Sequence, residues 1–317
     1  MSNLEPRPTP AVSGGTIDVA GGPVLEVLYG RDVVLGGTRG LPVSRTLPNK
    51  ERRMVGAWCF VDHYRGGDTP MRVPPHPHTG LQTVTWLVEG EVRHRDSLAN
   101  DQLIRPAELN LMTAGRGIAH AEESAGAGPL HGVQLWVALP DQDRDTAPAF
   151  AHHADLPGGQ HGGATVRLLV GELEGARSPA RAYTPIIGAE ISFDRPGRCS
   201  LRIESDFEYA ALTLDGRASV AGVALDPGPL LYLGTGRGTL ALAAEGPARL
   251  LLLGGEPFDE EIVMWWNFIG RRHDDIAGYR DDWAAGRRFG AVPGFNGSPL
   301  PAPELPTSTL RPRSRHR

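Results

Sequence analysis

The chain has 317 residues, 40% of them apolar, with 41 glycines, 28 prolines and a net charge of −5 near neutral pH. That length exceeds one ordinary core and sets two domains as the starting expectation, while the acidic balance gives no basic field with which to grip a phosphate backbone directly. Two cysteines, Cys59 and Cys199, are too few for a disulfide framework or a cysteine-built zinc site, and both read as packed thiols in a reducing compartment.

The first 15 residues, MSNLEPRPTPAVSGG, lack the charged start and apolar stretch of a secretory signal, and no apolar run approaches membrane-spanning length. The expectation is a soluble cytoplasmic protein that does not contact a membrane. Short segments rich in β-branched and aromatic residues follow, each bounded by Gly, Pro or Asp: 82–88, 109–112, 132–139 and 166–170. They read as strands of antiparallel barrels, and the spacing leaves no room for regularly alternating helices.

Within this β region, PPHPHTGLQ (74–82) carries His76 and His78, and GRGIAHAEES (115–124) carries His120 and Glu122. Side chains at i and i+2 of a strand share a face, so each pair points one way, and two facing strands would join them into one site. Pro77, between the first two histidines, cannot donate to a ladder and stiffens an edge or bulged strand. Three imidazoles and a carboxylate suit a divalent first-row ion, whether Fe(II), Mn, Ni, Cu or Zn, and leave coordination positions open for chemistry. An HxH pair alone is a weak signal, because a strand can carry two histidines for packing; the second pair 42 residues later makes it a pattern.

The chain also repeats itself. WLVEGEV (86–92) matches LTLDGRA (212–218), and IRPAELNLMTAGRG (104–117) matches ALDPGPLLYLGTGRG (224–238), with Gly90, Pro106, Gly115 and Gly117 opposite Gly216, Pro227, Gly236 and Gly238. Carried across in this register, the four candidate ligands fall opposite Arg202, Glu204, Ala241 and Ala243, so the second copy is expected to hold no ion. The stretch 151–163, AHHADLPGGQHGG, reads as a linker whose His152, His153 and His161 are loop residues rather than a second metal cluster. Ile276, Tyr279 and Trp283 recur at helical spacing in 272–288, which predicts an amphipathic helix laid on a barrel, and the Pro-rich end from Ser298, closing RPRSRHR, reads as a frayed terminus.

HPHTGLQTVTWLVEGEVRHRDSLAN, LNLMTAGRGIAHAEES and HGVQLWVALP together resemble the pirin family, a bicupin branch of the cupin superfamily, over about residues 58–268. The resemblance implies an all-β protein of two cupin-type antiparallel β-barrel (jelly-roll) domains with a C-terminal helix. The expected division is a metal-binding domain over 1–160, a domain without metal ligands over 161–292 and a Pro-rich tail over 293–317. It implies one divalent ion, iron(II) first, held by His76, His78, His120 and Glu122, and no organic cofactor. Gln82 stands where cupins generally have Glu, which is expected to alter pocket polarity rather than cost the ion.

Two functions follow from the resemblance. One is a dioxygenase that opens quercetin or a related flavonol or enolisable aromatic with dioxygen and release of carbon monoxide, Glu122 taking the substrate's hydroxyl proton as ligand and base in turn. The other is an iron-dependent redox-sensing regulator that binds a protein partner, not nucleic acid. Trp136 and Phe60 are candidates to line the pocket or simply to fill the core. A monomer is expected.

Overall fold

A computed structural model describes residues 8, 11–13, 23–35, 41–66 and 70–311. The expectation for residues 312–317, the basic end of the tail, lies outside them. Among the described residues the regular structure is antiparallel strand apart from one helix, His273–Ala284. The expected two-barrel, all-β architecture with a C-terminal helix is what the fold shows.

In the first barrel a seven-stranded sheet runs in the order Ala149–His153, Leu109–Thr113, Leu81–Glu89, His131–Ala138, Trp58–Arg65, Leu41–Leu47, Arg31–Leu35. Facing it is a four-stranded sheet in the order Arg72–His78, Ile118–Ser124, Val92–Asp96, Asp101–Ile104. The predicted strands at 82–88, 109–112 and 132–139 are all here. The segment read as a linker is not one throughout: Ala149–His153 pairs with Leu109–Thr113, and Gly158–His161 pairs with Ala164–Val170 in the second barrel's sheet. Its glycines and histidines masked short strands that carry no apolar alternation.

The second barrel is built from one nine-stranded sheet. Its strands Glu208–Val220 and Thr239–Gly255 are 13 and 17 residues long, and bulges around Thr213 and Gly216 let them bend to serve both walls. The repeat is visible in the turns. Gly90 (φ 82°) and Gly216 (φ 68°) hold the same left-handed turn, and a Cβ on them would lie 2.7 Å from the Pro129 carbonyl oxygen and 2.2 Å from that of Pro247.

The outer face of the seven-stranded sheet packs on the second sheet, with Val84, Trp86 and Leu135 in one apolar cluster with Leu212, Leu251 and Leu253. Polar anchors cross this seam. Trp58 Nε1–H donates to the carbonyls of Ile187 (3.2 Å) and Gly254 (3.1 Å), Trp86 Nε1–H to Glu190 (2.8 Å), and the Gly56 amide to Glu208 (2.8 Å).

The chain then returns to the first barrel. The backbone of Thr79 bridges to Phe268, and Ile276 and Tyr279 of the helix join Val263, Trp265, Trp266 and Phe268 in a cluster against Ala119, the residue beside His120. Asp275 secures the start of the helix by accepting the Arg271 and Arg272 amides at 2.8 and 3.1 Å. The described part of the Pro-rich segment, residues 298–311, is docked rather than frayed. Leu310 is 4% exposed, the Leu300 amide donates to the Pro75 carbonyl at 2.8 Å, and Trp283 Nε1–H donates to the Leu300 carbonyl at 2.8 Å. Its apolar residues are too sparse to show a period, so only the surface they meet reveals their role.

Candidate metal centre

His76 and His78 sit on the strand Arg72–His78, and His120 and Glu122 on its neighbour Ile118–Ser124. His120 pairs with His76, and the register then slips, since Glu122 pairs with Val73. Two residues, Pro74 and Pro75, therefore face the single Ala121, a bulge where missing N–H groups make an unpaired residue inexpensive. The Pro74 carbonyl accepts from His76 Nδ1–H at 2.7 Å, which leaves the lone pair on Nε2.

The three rings converge, with centroids 4.3 Å (His76 and His120), 5.0 Å (His78 and His120) and 5.1 Å (His76 and His78) apart. One donor nitrogen from each of the three lies within 4.8 Å of the others, and donor atoms of His94, His120 and Glu122 form a second such group that shares His120. All four predicted residues are fully buried. The structure thus groups His76, His78 and His120, and places Glu122 in the adjoining group that shares His120.

Two nitrogens bound to one ion at about 2.1 Å stand roughly 3.0 Å apart at a right angle and 3.4 Å at the tetrahedral angle. His78 Nε2 and His120 Nε2 are 3.1 Å apart. That pair therefore fits a divalent cation in spacing, and the donor set fits one in chemistry.

Burial keeps the imidazoles neutral. It pushes His76 down to about 4, partly opposed by the bond to Pro74, and drives His78 and His120 well below the ordinary histidine value, with neighbouring imidazoles adding to the effect. Burial alone would raise the Glu122 carboxyl, yet it stands below its usual value, with His94 and His76 among the groups that favour its anion. Neutral imidazoles and a carboxylate are the protonation states that ligate a metal.

A polar rung completes the wall opposite. Asn110, Thr85 and Gln134 are direct cross-strand partners. Thr85 Oγ1 lies 2.9 Å from Gln134 Oε1 and 3.4 Å from Glu122 Oε1. His152, expected in a loop, is bonded through Nδ1 to Asn110 Oδ1 at 2.7 Å, and His152, His153 and His161 form no cluster among the described residues. Trp136 meets the His78 ring edge-on at 5.3 Å and stacks on Phe60 at 4.0 Å, so both predicted aromatics belong to the core and also brace the site.

Gln82 departs from expectation. Strand alternation turns it to the face of Val84 and Trp86, and its amide donates to Thr113 Oγ1 (3.0 Å) and the Arg181 carbonyl (3.1 Å), so it ties the first barrel to a loop of the second instead of setting pocket polarity.

The ladder also corrects the comparison between copies by one residue. Glu122 pairs with His94 as Leu242 pairs with Val220, and His120 pairs with His76 as Leu240 pairs with Leu201. Ile203 bonds back to Gly238 where His78 pairs with Ile118. The four positions in the second barrel are thus Leu201, Ile203, Leu240 and Leu242, all in its apolar core, whereas Arg202 and Ala241 face outward. The Gly-Arg-Gly turn enters its strand one residue earlier in the second copy, an offset that glycine anchors could not reveal. An aliphatic core stands where the first barrel has four donors.

Sequence reasoning did not single out His94. Its only signal was the i, i+2 pair His94 and Asp96 in VRHRD, beside the ligand strand in the ladder.

A model of the pirin family matches residues 40–137, and one of the pirin C-terminal cupin domain matches residues 188–290. This chain belongs to the pirin family. It is 46% identical over 289 residues to a Pseudomonas aeruginosa protein named "Putative quercetin 2,3-dioxygenase PA1205", covering 89% of this chain and 91% of that one. It is 38% identical to a pirin-like protein of Caulobacter vibrioides over 77% of this chain and 88% of that one. A crystal structure of quercetin 2,3-dioxygenase from Acinetobacter baumannii superposes with a TM-score of 0.85 at 39% identity, covering 90% of this chain and 96% of that one.

Proposed function

We propose that the protein is a metal-dependent dioxygenase acting on quercetin or a related flavonol or enolisable aromatic, with iron(II) held by His76, His78, His120 and Glu122. The observation that carries this reading is the buried group of His76, His78 and His120 in the first barrel, with Glu122 in the adjoining group that shares His120, while aliphatic residues hold the matching positions of the second barrel. Likeness to proteins named quercetin 2,3-dioxygenase supports the substrate class. The division into 1–160, 161–292 and a tail over 293–317 is part of the same proposal.

A bound ion would supply Lewis acidity toward the oxygens of a hydroxyketone. Glu122, an anion near neutrality, would accept the substrate hydroxyl proton, with Thr85 Oγ1 beside its Oε1 to orient it. The side-chain N–H groups of Gln134 and Asn110 are buried without an acceptor among the described residues and would serve substrate oxygens. Phe60 and Trp136 would give a planar aromatic an apolar wall.

The test is metal analysis of the purified protein followed by oxygen uptake and carbon monoxide release over a panel of polyphenols. Ring opening by the iron-loaded protein, abolished in His76→Ala, is expected. A metal-replete protein that opens no polyphenol, yet captures a protein partner only in one oxidation state, would overturn the dioxygenase in favour of a redox-sensing regulator.

A further inference from the structure

Resting on the ligand set above, we propose that His94 and Asp96 form a positioning relay that fixes His120 as an Nε2 ligand. His120 turns Nε2 toward His78 and Nδ1 toward His94, whose own Nδ1 is 3.3 Å away. Two ring nitrogens at that distance need one proton between them, and its position decides what His120 can do. On His120 Nδ1, it leaves a lone pair on Nε2 for the ion; on His94 Nδ1, it does not.

Asp96 settles the choice. Its Oδ2 is 3.2 Å from His94 Nε2, so the ring carries a proton there and meets the carboxylate as a donor, leaving Nδ1 to accept from His120. The opposite tautomer would aim a lone pair at an anion. Asp96 is itself held: Oδ1 accepts the amides of Leu98 (2.9 Å) and Asn100 (3.2 Å), and the Asn100 side-chain amide lies within 3.0 Å of both oxygens. Phe150, on the strand Ala149–His153, stacks on the His94 ring at 4.5 Å and 19°. Every proton in the chain from carboxylate to His120 Nε2 then has a donor and an acceptor.

The second barrel gives an independent reason to assign His94 to the metal centre. Its counterpart is Val220, so where the four ligand positions turn aliphatic this one does too. Ligating imidazoles ordinarily donate their other N–H to a fixed acceptor, and losing that partner costs about 10- to 100-fold in metal affinity.

The experiment is titration with cobalt(II), read as affinity and as the visible ligand-field spectrum, on the full chain and on His94→Val, His94→Asn, Asp96→Asn and His120→Ala. Thermal unfolding of each metal-free variant reports its fold. His94→Val is expected to bind one equivalent about 10- to 100-fold more weakly with an altered spectrum. His94→Asn, whose amide oxygen can replace Nδ1 as acceptor, should fall between His94→Val and the unmodified chain, and the isosteric Asp96→Asn should weaken binding less than His94→Val. Unchanged affinity and spectrum in His94→Val would overturn the relay, as would an Asn variant no better than Val, which is the packing outcome. Complete loss of cobalt in His94→Val would make His94 a ligand and also end the proposal. If His120→Ala binds like the unmodified chain, the ligand set itself fails and takes the relay with it.

Discussion

Thr85→Val tests whether the polar rung of the first barrel is coupled to the candidate metal centre. Valine matches threonine in shape and strand preference, so the change removes a hydroxyl without opening a cavity. That hydroxyl donates to Gln134 Oε1 at 2.9 Å and also lies 3.4 Å from Glu122 Oε1, and it has one proton for both. Both acceptors belong to fully buried residues. Stranding the Gln134 oxygen should cost about 1–3 kcal/mol, and at roughly 2–4 °C per kcal/mol for a domain of this size the melting temperature should fall by about 2–12 °C. The weaker contact to Glu122 should appear as a separate loss of ion affinity, up to about tenfold, in a cobalt(II) titration. The reciprocal change is the control. Ala211, flanked by Leu231 and Leu252, occupies the equivalent rung of the second barrel, and Ala211→Thr should destabilise by burying a hydroxyl among aliphatic neighbours with no effect on metal. A Thr85→Val protein that melts within 1 °C of the parent and binds cobalt equally well would refute the coupling.

Arg45 forms a two-pronged pair with Asp62, 2.7 and 2.8 Å, at 1% and 0% side-chain exposure. Arg45→Met should therefore cost about 3–5 kcal/mol by stranding the carboxylate, and adding Asp62→Leu should recover much of it in denaturant unfolding. His63 and His131 face each other at 3.0 Å between Nε2 atoms near Arg65 and Asp215, at the seam between barrels. Burial, then His131 and Arg65, push His63 down to about 4 from 6.5. The unfolded chain thus takes up a proton below pH 6.5 that the folded chain refuses until about 4, so this contribution is intact above 6.5 and is lost as pH falls to 4, by about 3 kcal/mol. His63→Gln should flatten that part of the stability profile. An ion present at about 100 times its dissociation constant should raise the first barrel's melting temperature by roughly 5–10 °C, from about 2.7 kcal/mol of linkage, and His76→Ala should remove the shift.

Residue pattern by itself determined the strands, the duplication and the pairs His76/His78 and His120/Glu122, because period-2 alternation and glycine-bounded turns are local properties. The helix was equally legible, since Ile276 and Tyr279 recur at its spacing and are its buried residues. Tertiary structure decided what depends on facing and on distant partners. Gln82 could not be assigned a side until the strand was placed between two sheets, because a one-residue change in parity sends a side chain from the site to the seam. The same parity moved the second-copy counterparts of the ligands to Leu201, Ile203, Leu240 and Leu242. His94 was invisible as a partner of His120 because its role rests on ring nitrogens brought within 3.3 Å by cross-strand pairing. The tail after Ser298 carries no periodic signal, and only folding brought the Leu300 amide to the carbonyl of Pro75.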